Sequence, residues 1–102
     1  ELYATEENVT YDKVALESLP LDKIRAVDPA LEEELREGAF AKAKTSSGYV
    51  CAHCGEVFPN RQFLHVDHIV PLNKGGRSVR DNLQILCRSC NAKKGDQLEG
   101  EY

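Results

Sequence analysis

The fold is decided by two cysteine pairs, Cys51-Ala52-His53-Cys54-Gly55 and Cys87-Arg88-Ser89-Cys90, with 32 residues between them. Four thiolates can close a tetrahedral zinc site, and the two-residue spacing lets each turn aim both sulfurs at one point. Gly55 allows the positive φ that the first turn needs. The spacing therefore predicts a structural Zn²⁺ held by Cys51, Cys54, Cys87 and Cys90. His53 is expected to be exposed, because four cysteines already satisfy the metal.

CxxC pairs have two other common uses besides binding zinc. A thioredoxin-like redox pair occurs singly at the start of a helix, and structural disulfides belong to secreted chains. This chain has two pairs, and no basic and apolar leader marks it for secretion. Zinc is therefore the favoured interpretation.

Length and composition describe one small soluble domain that needs a staple. The chain has 102 residues, a formal net charge of −4, seven aromatic residues and neither Trp nor Met. Such a chain builds a thin core, and metal binding then supplies folding free energy. Its longest apolar runs are far too short to span a bilayer, so we expect a cytoplasmic protein with no membrane partner.

Charge and pattern divide the sequence at Ser46. Residues 1–46 form an acidic segment with a net charge of −5, and we expect it to be helical. Its main helix begins at Asp28-Pro29 and runs to Lys44, preceded by a weaker helix over 11–18 and a short piece over 22–27. The stretch 45–48 is expected to be a linker or turn. Residues 47–102 have a net charge of +1 and contain every Cys and His.

The second segment predicts an α+β arrangement. Leu64, Val66 and Ile69 indicate a short strand that Pro71 closes, and a glycine loop follows. A second strand is predicted over 83–86, and a two-turn helix over 88–94 that Gly95 ends. The result is strand, loop, strand, helix, with zinc fixing the helix to the first cysteine turn.

Four polar residues in this segment have both a plain and a chemical interpretation. Asp67 could cap a turn, His68 could be a structural histidine, Asn82 a turn residue and Asn91 a helix-surface amide. Each alone favours the plain interpretation. The four taken together favour the chemical interpretation, because of the family resemblance described next.

Together these residues resemble the HNH endonuclease family. The matching text is Val66-Asp67-His68-Ile69-Val70-Pro71-Leu72, Gly75-Gly76, Asn82-Leu83 and Leu86-Cys87-Arg88-Ser89-Cys90-Asn91-Ala92-Lys93-Lys94. The third motif position holds Asn91, so the chain resembles the HNN variant with the ββα-metal fold and a four-cysteine zinc site. The resemblance implies that His68 is a general base, that Asp67 and Asn91 bind a catalytic Mg²⁺ or Mn²⁺, and that Asn82 braces the loop. It covers about residues 49–96 and does not extend to residues 1–46.

Phosphodiester hydrolysis requires a base and a bound metal ion, and these residue types can supply the base and the metal ligands. A neutral His can take a proton from water, and carboxylate and amide oxygens are hard ligands that suit Mg²⁺ or Mn²⁺. Asp67 and His68 are neighbours and would face opposite sides of a regular strand, so a bend or bulge is expected there. His65 is either a supporting residue or a surface histidine. The plausible phosphate contacts are Arg77, Arg80, Lys93 and Lys94.

Two functions from different classes remain. The first is a metal-dependent endonuclease that nicks or cuts DNA, with duplex DNA as the expected substrate, and acts as a monomer or homodimer. The second is a non-catalytic, zinc-stabilised nucleic-acid-binding module. Both explain the local net charge of +5 over residues 74–94. The resemblance suggests a prokaryotic or phage setting, and only the nuclease accounts for Asp67, His68 and Asn91 together.

Overall fold

A computed structural model describes residues 2–4 and 10–98 as a mixture of short strands, four α-helices and two single-turn 3-10 helices, at Leu72–Lys74 and Arg80–Asn82. The strands form three small antiparallel sheets with the orders β1-β2, β3-β4-β5 and β6-β7. The elements in chain order are β1 (Leu2–Ala4), β2 (Thr10–Asp12), α1 (Lys13–Glu17), α2 (Leu21–Val27), α3 (Pro29–Ala43), β3 (Lys44–Thr45), β4 (Gly48–Val50), β5 (Val57–Phe58), β6 (Leu64–His68), β7 (Leu83–Cys87) and α4 (Arg88–Lys94).

The helix α3 confirms the predicted main helix of the acidic segment. The Asp28 side chain accepts a hydrogen bond from the Leu31 amide at 3.2 Å, and Pro29 occupies the first turn. Gly38 lies inside α3, where it lowers helix stability. A Cβ there would lie 3.4 Å from the Arg80 side chain, which is an ordinary van der Waals contact, so the packing does not require glycine at this position.

The first segment also contains elements that the sequence did not predict. Asp12 ends β2, and its side chain caps α1 by accepting from the Ala15 amide at 2.8 Å, so α1 begins later than expected. The predicted linker over 45–48 contains the turn of the β3-β4 hairpin at residues 46–47, and its two ends belong to the strands. Gly48 has φ +141°, and a Cβ there would lie 2.1 Å from the Phe58 carbonyl oxygen, which explains why β4 and β5 need glycine at this point.

The predicted strand, loop, strand and helix over residues 64–94 are confirmed. The strands β6 and β7 pair in unbroken register from Leu64 opposite Cys87 to His68 opposite Leu83. The bend or bulge expected between Asp67 and His68 is therefore wrong: the ladder continues through both residues, and the backbone bends only afterwards, at 69–70. Regular pairing places the two side chains on opposite faces of the sheet.

One hydrophobic cluster joins the two sequence segments. Leu16, Ile24 and Phe40 come from the acidic segment and belong to the same buried cluster as Leu83 and Ile85 of β7. Lys42 of α3 adds polar contacts by donating to the backbone carbonyls that flank the start of β7. The division at residue 46 remains a prediction about the sequence, and the core is not divided there. Within the described ranges, no helix combines the length and apolar character needed to cross a membrane.

Candidate active site and metal centre

The four cysteine sulfurs converge at one point between the first cysteine turn and the start of α4. All four lie within 4.8 Å of one another, and the Cys54 and Cys87 sulfurs are 4.0 Å apart. Zn–S bonds of about 2.3 Å in a tetrahedron place sulfurs about 3.8 Å apart, so the cluster fits a zinc ion. Three of the cysteines are buried and Cys54 is exposed. The four residues are positioned to bind one metal, as the spacing predicts.

Backbone contacts hold the cysteine turns in place. The Cys51 amide donates to the Glu56 carbonyl at 2.9 Å, and the Gly55 amide donates back to the Cys51 carbonyl at 3.0 Å. Gly55 has φ +76°, as expected for this turn. The Cys87 amide donates to the Cys51 sulfur at 3.3 Å, which ties the two cysteine pairs together directly.

The pKa values of the cysteine cluster indicate that four thiolates need a cation between them. Burial opposes ionisation of Cys51, but hydrogen bonds from backbone amides outweigh it and lower the pKa of this thiol to about 6. Burial and the neighbouring sulfurs raise the pKa of Cys90 to about 12. One thiolate is therefore stabilised by the backbone, whereas four together would repel one another unless a metal ion neutralised them.

Asp67 lies near the carboxyl end of β6, with one carboxylate oxygen held on two sides. Oδ2 accepts from the Gln84 side chain at 3.0 Å and pairs with the Lys94 ammonium at 3.1 Å. Gln84 is the residue opposite Asp67 in the ladder, so the amide reaches it across the sheet. The other oxygen, Oδ1, has no partner within the described part of the chain and remains available as a ligand.

Lys94 corrects one expectation, because it was predicted as a phosphate contact. Its side chain is only 1% exposed, and Nζ donates to the His68 carbonyl at 2.8 Å while pairing with Asp67. A buried ammonium that is already satisfied by two acceptors does not reach DNA. Lys94 instead links the α4 helix to the two motif residues of β6.

His68 is half-buried at the last position of β6 and faces the loop that follows. Its Nε2 lies 2.8 Å from the Ser78 hydroxyl. Burial lowers the pKa of His68 below its usual value, the Asp67 charge acts in the opposite direction, and Lys94 lowers it further. The ring is thus kept neutral more readily than an exposed histidine.

Asn82 spans the loop between β6 and β7 with its side chain. Nδ2 donates to the carbonyls of Val70 at 3.0 Å and Arg77 at 2.9 Å, and Oδ1 accepts from the Val70 amide at 2.9 Å. Gly76 completes the compact loop, because a Cβ there would lie 1.7 Å from the Val70 carbonyl oxygen. This geometry is what a loop brace requires, and it keeps His68 and Ser78 on adjoining segments.

Asn91 lies in α4, one residue after the zinc ligand Cys90 and three residues before Lys94. Its backbone carbonyl accepts from the Gly95 amide at the end of the helix. Its side-chain amide is partly exposed and makes no hydrogen bond with any residue that the structure describes. Asn91 is therefore placed on the helix that contacts Asp67, with its amide oxygen available.

The three other predicted DNA contacts have different surroundings. Arg77 pairs with Glu17 at 2.7 Å, so its charge is partly neutralised by the acidic segment. Arg80 is exposed and packs beside Gly38, and Lys93 is exposed on α4. His65 is exposed on β6, on the same face of the strand as Asp67. Arg80 and Lys93 are thus the cations in this set that can meet a phosphate without first breaking an ion pair.

Sequence reasoning missed Ser78 and Gln84. Ser78 is only 2% exposed and contacts Leu19, which lies 59 residues earlier, so no local pattern could indicate it. Gln84 lies in a strand that reads as apolar. Gln84 lies opposite Asp67 because of the register between β6 and β7. The sequences of two short strands and the loop between them do not determine that register.

Comparison with known proteins supports the family resemblance of the second segment. Residues 51–97 match the model of the HNH endonuclease family. This segment is similar to that family, as the resemblance predicts, and its helices, strands and four-cysteine cluster are consistent with a ββα-metal core.

A curated relative matches over a similar length. The Type IV methyl-directed restriction enzyme EcoKMcrA of Escherichia coli (strain K12) is 34% identical over 47 residues, which is 41% of this chain and 17% of the relative. The matched region thus spans about a sixth of that enzyme. The similarity supports nuclease membership of the domain and does not extend to the rest of the relative.

Proposed function

We propose that this protein is a metal-dependent endonuclease that hydrolyses DNA phosphodiester bonds, with His68 as the general base. The observation that carries the proposal is the buried Lys94, which binds the Asp67 carboxylate and the His68 carbonyl at once. A module that only binds DNA has no need to bury a cation in order to hold an Asp-His pair. The HNH domain at residues 51–97 supports the same reaction class.

Asp67 and Asn91 are the residues that would hold the catalytic Mg²⁺ or Mn²⁺. The donor set fits, because a carboxylate oxygen and an amide oxygen are both hard ligands without partners in the described structure. When bound, the ion supplies positive charge to the scissile phosphate and to the departing 3′ oxygen. Gln84 and Lys94 orient Asp67 by holding its other oxygen.

His68 supplies the basic nitrogen for the attacking water. Its depressed pKa keeps the imidazole neutral at the pH of the cell, and a neutral imidazole accepts a proton. Asn82 contributes by bracing the loop that contains the histidine's hydrogen-bond partner. The base is therefore positioned by the loop, while the metal ligands are positioned by the sheet and α4.

DNA binding rests on exposed cations, with Arg80 and Lys93 as the proposed phosphate contacts and Arg77 as a third when Glu17 releases it. One site per chain favours a single-strand nick by a monomer. A double-strand break needs a homodimer or two successive cleavage events. The relative's methyl-directed activity is not transferred, because only 17% of that enzyme is matched. The substrate proposed here is duplex DNA without a stated sequence.

Plasmid cleavage tests the proposal against the binding-module alternative. Supercoiled plasmid is incubated with the zinc-loaded chain plus Mg²⁺ or Mn²⁺, and a second sample receives His68→Ala. We expect nicked circles with wild type and a rate about 10²–10⁴-fold lower with the variant. Gel-shift affinity should be similar for both. Equal nicking by both proteins would reject His68 as the general base, and DNA binding without any nicking by wild type would favour the binding module.

A further inference from the structure

The hydroxyl of Ser78 connects His68 to the acidic N-terminal segment. Ser78 Oγ lies 2.8 Å from His68 Nε2 and donates to the Leu19 carbonyl at 2.6 Å. The Ser78 amide donates to the Glu17 carbonyl at 2.6 Å, which fixes the backbone of the residue as well. The base of the HNH domain is thus anchored, through one serine, to the turn between α1 and α2.

The direction of these hydrogen bonds is determined by proton count. A serine hydroxyl has one proton, and a backbone carbonyl can only accept. At 2.6 Å the Ser78 proton must point to the Leu19 oxygen, since otherwise two oxygen lone pairs would face each other at that distance. The Ser78 oxygen therefore accepts its second hydrogen bond from His68, and Nε2 is the nitrogen that bears the proton.

We propose that Ser78, with the Leu19 carbonyl as its acceptor, is a positioning residue that holds neutral His68 in the Nε2–H tautomer and presents Nδ1 as the basic nitrogen. No residue in the described ranges bonds to Nδ1, so this nitrogen is available for a water molecule. The proposal rests on the proposed function only where it concerns cleavage. The tautomer itself is a property of the folded chain.

Burial makes this arrangement persistent. Ser78 is 2% exposed, so water does not replace the hydroxyl as the partner of Nε2. Losing the hydroxyl would leave the ring NH and the Leu19 carbonyl without partners, and the ring could then adopt either tautomer or turn over. The acidic segment thereby gains a role in the site: it supplies the carbonyl that orients the serine.

The experiment compares Ser78→Ala with Ser18→Ala. Ser18 is a matched control because it lies next to Leu19, is exposed and uses its hydroxyl only to bond the Val14 carbonyl. Each zinc-loaded protein is labelled with ¹⁵N, and the His68 ring is observed by long-range proton–nitrogen correlation at about pH 8, above the usual His pKa of about 6.5. The spectrum of His68→Ala assigns the signals.

We expect the Nε2–H pattern in wild type and Ser18→Ala, and averaged tautomer signals in Ser78→Ala. The kcat for plasmid nicking should fall about 10–100-fold in Ser78→Ala, as for other residues that orient a reactive imidazole, with KM unchanged. An Nδ1–H pattern in wild type would overturn the proposal even if Ser78→Ala failed to fold. A folded Ser78→Ala with the wild-type pattern and kcat would also overturn it.

The two proposals fail separately. If wild type does not nick DNA, the endonuclease assignment is lost, while the spectrum still decides the tautomer. If wild type nicks DNA and Ser78→Ala is indistinguishable from it, the endonuclease assignment stands and the serine has no positioning role.

Discussion

Lys94 places its buried ammonium 3.1 Å from the Asp67 carboxylate, which links the end of α4 to the end of β6. Lys93, its neighbour in sequence, is exposed. The two adjacent lysines are therefore expected to have different roles, and one substitution at each position distinguishes those roles.

Lys94→Ala should destabilise the fold, whereas Lys93→Ala should weaken DNA binding. Removing one partner of a buried ion pair costs about 3–5 kcal/mol, because the Asp67 charge is left uncompensated. Losing an exposed cation changes stability by less than about 0.5 kcal/mol and reduces the salt dependence of binding. Urea unfolding and gel shifts at two salt concentrations measure both effects. A stable Lys94→Ala with weakened DNA binding would restore Lys94 as a phosphate contact.

Zinc removal should unfold the second segment. Metal analysis should find about one Zn²⁺ per chain, and Cys87→Ala should lose both the ion and the thermal transition, because zinc binding supplies folding free energy. His53→Ala lies in the same turn as a control and should keep its zinc. An unchanged melting curve for the chelated, reduced protein would contradict the assignment of the four cysteines.

Asn91→Ala should impair Mg²⁺- or Mn²⁺-dependent cleavage while zinc content stays at wild-type level. Loss of a direct ligand should cost more than the about 10–100-fold typical of losing an outer partner. Asn91 is a better probe than Asp67, since Asp67→Ala would also leave the buried Lys94 ammonium without its ion-pair partner. Asn73→Ala removes an exposed amide that bonds Asp96 and serves as the control. Titration of the rate with metal measures the change, and loss of zinc in Asn91→Ala would mean that the two metal sites are coupled.

The pH dependence of cleavage should reflect the low pKa of His68. Burial depresses this pKa, so the neutral base persists to lower pH than an exposed histidine of pKa 6.5 would allow. The rate should rise with pH and level off with a midpoint below 6.5, and His68→Ala should remove this limb. The same shift makes the unfolded state bind more protons below pH 6.5, so stability should fall as pH drops towards the pKa of the folded protein. A midpoint above 6.5 would contradict the burial effect.

The sequence predicted those parts of the fold that local chemistry encodes. Asp28-Pro29 marks the start of α3, Gly95 ends α4, and the cysteine spacing fixes the metal cluster, each within a few residues. The contact between Ser78 and Leu19 depends on how α1 packs against the loop, and the burial of Lys94 depends on how α4 docks on the sheet. Such long-range packing leaves no periodic signal. A lysine after a CxxC motif therefore read as a surface cation.

The β3-β4-β5 sheet was missed for a different reason. Its strands have two or three residues, which is too short for an alternation of apolar and polar residues to be recognised. Gly48, which read as a linker residue, is there because the Phe58 carbonyl passes where a side chain would be.

The shared core has a consequence for anyone who moves the second segment into a fusion protein. A transplant that starts at residue 47 would retain the metal ligands and the motif, yet it would leave behind Ile24 and Phe40, which belong to the same buried cluster as Leu83 and Ile85. The exposed apolar face would invite aggregation, and Lys42 would no longer secure the start of β7. The portable unit is defined by its packing, and a graft should begin no later than Asp12, the residue that caps α1.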